Sequence, residues 1–107
     1  MGGRGRNSDR YYLHWGKQGK HIEGHNNYDP KRSPITISKE RIQELFNQYR
    51  GTGIITYERN GVRELINFNE VIGQVKNPYN GQMEDTTWGN IIYKNDGGYH
   101  IVPNWVK

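Results

Sequence analysis

Two histidines give this chain its capacity for chemistry. His21 stands in Gly19-Lys20-His21-Ile22-Glu23-Gly24-His25-Asn26-Asn27-Tyr28, and His100 in Tyr99-His100-Ile101-Val102-Pro103, nearly eighty positions later. Each has small, polar or phenolic neighbours, and in a short chain both segments can reach one cleft. Two imidazoles suffice for acid–base work without a metal, because an ordinary pKa near 6.5 lets one ring accept a proton while the other supplies one. A strand histidine between Tyr99 and Ile101 is by default a packing residue; its terminal position and the nearness of Tyr93 favour a functional reading. His21 sits in a loop where regular structure does not require it, and such residues bind or catalyse more often than core ones. His25 is the weaker candidate. His21-x-x-x-His25 would grip a metal only on a helix, which Gly24 and the asparagines oppose, and two ligands without a third make a poor zinc site. His14 falls among packing aromatics. No metal and no cofactor is expected.

The charge surrounding these histidines points to phosphate. Residues 1–32 hold seven basic side chains against three acidic ones, the whole of the +4 net charge, while the remainder balances. A basic patch of this kind favours phosphate-bearing partners. Lys31-Arg32-Ser33 offers two cations and a hydroxyl, Thr86-Thr87 two further hydroxyls, and Lys20 and Lys94 stand near the two histidine motifs. Cysteine is absent, so there is no disulfide framework, thiolate nucleophile or cysteine zinc site. No apolar run approaches the ~20 residues of a membrane span, and no signal-peptide core is present. The carboxylates are scattered. Gly51-Thr52-Gly53 lacks the Gly-Lys-Ser/Thr that would make it a phosphate loop.

The elements that must hold these groups read as α+β: an N-terminal helical and loop segment packed on a small antiparallel sheet. At 107 residues with 32% hydrophobic content and a mean hydropathy of −1.06, the chain leans on its three Trp, eight Tyr and two Phe for a core. Residues 1–9 read as a flexible linker and 10–107 as a single domain. Arg10–Trp15 predicts a short helix or strand, and 16–34 an ordered loop. Ser38 (or Thr36) caps a helix over 39–50, with Ile42, Leu45, Phe46 and Tyr49 on one face and Gly51 as its stop. Strands follow at 54–57, 62–68, 71–75, 87–94 and 99–102, punctuated by Asn60-Gly61, Pro78/Gly81 and Asn95–Gly98. A loop of two or four residues before the last strand pairs Lys94 with Tyr99 and Tyr93 with His100, putting that phenol and imidazole on one face.

The ordered motifs resemble a known family. Gly19-Lys20-His21-Ile22-x-Gly24-x-Asn26-Asn27-Tyr28, Arg32-Ser33-x-x-Thr36, Tyr49-x-Gly51-Thr52-Gly53, Val71-Ile72-Gly73, Thr87 with Ile91-x-Tyr93, and His100-Ile101-Val102-Pro103 are similar to the polymorphic toxin type 50 domain over about residues 16–103. The same final string occurs in zinc-finger-like nucleases with a ββα metal site, but four residues after it are too few for that helix and its ligands. The resemblance implies a barnase/EndoU/colicin/RelE-like nuclease fold. It also implies a C-terminal toxic module of a longer secreted parent chain, delivered into a target bacterial cytoplasm and neutralised by a cognate immunity protein, whose surface should be acidic to match a basic cleft. By similarity His21 and His100 are the active-site histidines; Lys20, Thr86 or Thr87, and Tyr93 fall on family-like positions, while His25 stands where a small polar residue is expected. The expected reaction is metal-independent cleavage of RNA, with Lys20, Thr87 and Tyr93 assisting catalysis and Arg32, Ser33, Thr86, Lys94 and His25 binding substrate. A nuclease acting on DNA, and a binding module without turnover, are the rival expectations.

Overall fold

The computed structural model describes residues 10–106; the linker expected at 1–9 lies outside them. Among the described residues seven strands and two helices follow in order: β1 (Tyr12–Leu13), α1 (Trp15–Gln18), a 3-10 turn (Gly19–His21), α2 (Lys39–Tyr49), β2 (Ile54–Glu58), β3 (Gly61–Asn67), β4 (Gly73–Lys76), β5 (Met83–Thr86), β6 (Trp88–Lys94) and β7 (Gly98–Pro103). The architecture is α+β. Five strands form one sheet in the order β1-β7-β6-β3-β2, and β4-β5 form a separate hairpin sheet. The main sheet is mixed, because β1 runs parallel to β7 while its other pairs are antiparallel.

Local sequence explains the long helix. The Ser38 hydroxyl accepts from the Arg41 amide at 3.1 Å, satisfying one of the donors that a helix start leaves orphaned. Ile42, Leu45 and Phe46 then project from one face and are fully buried or nearly so. Gly51, at φ +82°, ends the run where a side chain would be strained.

That face packs on one side of the main sheet. Ile66 of β3, Ile91 of β6, and Tyr99 and Ile101 of β7 alternate inward to meet it. The Phe46 ring stacks on Tyr99 with centroids 3.6 Å apart, and Tyr11 and Tyr93 close the cluster edge-on. Each such buried side chain contributes about 1.5–3 kcal/mol. The alternation sends Ile92, His100 and Val102 to the opposite face, where the segment after α1 covers them.

The β6–β7 turn corrects one expectation. Its loop has three residues, Asn95-Asp96-Gly97, with a Gly97 N–H to Lys94 carbonyl bond of 3.0 Å and Gly97 at φ +92°. This is a type I turn closed by a left-handed glycine. An odd-numbered loop moves the register by one, so His100 pairs with Ile92 and Tyr93 with Tyr99. Tyr93 therefore stands on the helix-covered face, away from His100.

Candidate active site

His100 reaches its position from the second-last pair of the β6–β7 ladder, and His21 from the end of the 3-10 turn. The two rings lie with centroids 6.0 Å apart and planes 26° from parallel. They share a depression of about 340 Å³ with Lys17, Lys20, Arg32 and Lys94 around it and Ile92 and Val102 as its apolar floor. Among the described residues its lining includes four cations and no carboxylate. Arg32 shares its charge with Asp29, at 3.4 Å.

His21 is held by its own loop. Its Nδ1 lies 2.8 Å from the Ser33 carbonyl, which fixes the proton on Nδ1 in the neutral ring and leaves Nε2 free. Ile35 in turn donates from its amide to the His21 carbonyl at 2.6 Å. His21 is only 3% exposed. Burial lowers its pKa below the ordinary histidine value, the Ser33 carbonyl opposes that, and Arg32 and Lys20 push it down further. His100 is shifted more strongly, to about 3, by burial first and then by His21, Lys17 and Lys94. Its Nδ1 is buried without a hydrogen-bond partner among the described residues. Both rings are thus neutral near pH 7 in the free protein, in a field prepared for an anion.

The structure gathers some of the expected residues and separates others. Lys20, His21, Arg32, Lys94 and His100 converge on the depression. Ser33 contributes its carbonyl to His21. His25 turns the other way: its ring meets Trp15 edge-on at 5.3 Å and its Nδ1 accepts from the Asn27 amide. Thr86 is buried at the β5–β6 junction, its hydroxyl donating to the Asn104 carbonyl and accepting from the Trp88 amide. Thr87 receives the Phe68 amide on its carbonyl, outside the depression. The Tyr93 hydroxyl donates to the fully buried Glu64 carboxylate at 2.6 Å, which also accepts from the Gly53 amide. Burial and that carboxylate both raise the pKa of Tyr93.

Lys17 is the cleft residue that motif reading passed over; its signal was the basic excess of the N-terminal third. Ile92 comes to the face of His100 only through the observed register, whereas Val102 shares that face by alternation along β7. Another depression, of about 400 Å³, opens on the helix side beside Tyr11, Tyr57 and Tyr93. Its buried carboxylate is already engaged, so the histidine cleft is the stronger candidate. Among the described residues no group of three or more His, Cys, Asp or Glu side chains is placed to hold a metal ion, and no helix is long and apolar enough to cross a membrane.

A family model described as bacterial toxin 50 matches residues 13–103. No curated protein matches the chain.

Proposed function

The chain belongs to the bacterial toxin 50 family, and from that premise we propose that its toxicity is the cleavage of RNA in the histidine cleft. The observation that carries this reading is the pair of imidazoles 6.0 Å apart inside a depression ringed by four cations. RNA supplies its own nucleophile. One neutral imidazole takes the proton of the ribose 2′-hydroxyl, whose oxygen attacks the adjacent phosphorus. The bond from phosphorus to the 5′-oxygen breaks, and the other imidazole, protonated, gives its proton to that leaving oxygen. The products are a 2′,3′-cyclic phosphate and a 5′-hydroxyl.

Lys17, Lys20, Arg32 and Lys94 stabilise the charge that grows on the non-bridging oxygens. Proton transfer of this type contributes about 10²–10⁴-fold for each group. The bound phosphodiester raises both imidazole pKa values, because an anion beside a ring favours its charged form. The free protein therefore holds its rings neutral, and substrate itself promotes the protonation that the leaving group requires.

The deciding experiment is end-group analysis of RNA cut by the purified protein, with and without chelator. Cyclic phosphate ends, made equally well with chelator and absent on DNA, are expected. Products with 5′-phosphates, or a strict need for magnesium, overturn the mechanism. In the producing cell, a neutralising protein with an acidic surface is the partner that this cleft fits.

A further inference from the structure

Gln18 is a fully buried polar side chain that the proposed reaction does not use. Its amide nitrogen donates to the Ile101 carbonyl at 2.9 Å, and its amide oxygen accepts from the Ile101 amide at 2.7 Å. A primary amide so placed imitates one residue of a β-strand. The imitation comes where it is needed. β1 pairs with β7 only through Tyr12–Gly98 and Leu13–Tyr99, with the His14 amide on the Tyr99 carbonyl as the last backbone bond. Beyond that point the β7 edge would present Ile101 unpaired and out of reach of water, which is costly for both groups.

The location matters more than the saturation. Ile101 adjoins His100, and Gln18 precedes His21 by one 3-10 turn. We infer that Gln18 is a positioning residue that ties the two histidine-bearing segments together and sets the separation and tilt of their rings for catalysis. This rests on the ribonuclease reading for its catalytic consequence, but the tie itself concerns the rings alone.

Gln18→Met keeps the shape and loses both bonds, and Gln18→Glu keeps the acceptor and recovers the donor only when protonated. In Gln18→Met, kcat on RNA should fall by about 100-fold, the scale of loss from a misplacement near 1 Å. KM, and the affinity for a single-stranded DNA of the same sequence, should stay near wild type, since the cleft cations remain. For Gln18→Glu, the ratio of its kcat to that of wild type should climb as pH falls through the titration of the new carboxyl. Proton NMR titration supplies a readout that needs no activity: the depressed histidine titrations should move toward the ordinary value in the folded Met variant. Unchanged titrations in a folded variant overturn the inference, as does a parallel loss of kcat, DNA affinity and thermal stability, which marks a merely structural bond. If Gln18→Met does not fold, the same measurements on Gln18→Glu decide. A wild-type protein that leaves RNA intact sinks the ribonuclease reading, while the titrations still judge the tie.

Discussion

At the scale of single residues, the two imidazoles make the sharpest demands. His21→Ala and His100→Ala should each cut cleavage by about 10²–10⁴-fold with the fold retained, judged by product ends and circular dichroism. The pH profile follows from the depressed pKa values. One ring must be neutral and the other protonated, and in the free protein both titrate below about 6.5. The maximum of kcat/KM should therefore lie below that value, while kcat, read with the phosphodiester bound, peaks higher. A kcat/KM maximum above about pH 7 contradicts the assignment. Tyr93 offers the contrast. Tyr93→Phe strips the buried Glu64 of one of its two hydrogen bonds and should cost about 1–3 kcal/mol in denaturant melts without lowering kcat, because the hydroxyl faces away from the cleft. The two histidines were legible as candidates because His21 sits in a loop where regular structure has no need of one and His100 stands in a terminal strand near Tyr93. Lys17 was not, since a lysine carries no sign of which way a short helix will turn it.

At the scale of elements, legibility followed the strength of the local code. The α2 helix has a cap, a stripe and a glycine stop, and it forms as those signals dictate. β5 reads Met-Glu-Asp-Thr, of which only the buried Thr86 favours a strand, and it exists because β4 offers it a partner. β1 has two residues, too few for any period to show. The β6–β7 loop defeated the expected register on parity alone: three residues rather than two or four exchange every face assignment downstream. A subtler case is the His25 loop. A Cβ on Gly19 would overlap the His25 imidazole, so Gly19→Ala should push the His21 turn off its seat and lower kcat. Adding His25→Ala should restore most of the loss; a double variant no better than Gly19→Ala alone would remove His25 from its place as a packing partner.

At the scale of the whole molecule, charge and topology govern. If each of the four cleft cations meets one phosphate, binding of a non-cleavable single strand should weaken with salt along a log–log slope of about −3, and Lys94→Ala should reduce it by about 0.7. Stability has its own pH dependence. Both histidines resist protonation more in the folded than in the unfolded chain, so the stabilisation is complete above about pH 6.5 and declines below it, by up to about 1.4 kcal/mol per histidine per pH unit. Thermal melts should show this between pH 7 and 5, with His100→Asn flattening the curve. Topology adds a last consequence. Because Tyr12 and Leu13 lie beside Gly98 and Tyr99, the first strand waits for the final one, and contacts so distant along the chain close slowly. Until β7 has docked between β1 and β6, the segments that carry His21 and His100 are not held side by side, and the cleft they line does not yet exist.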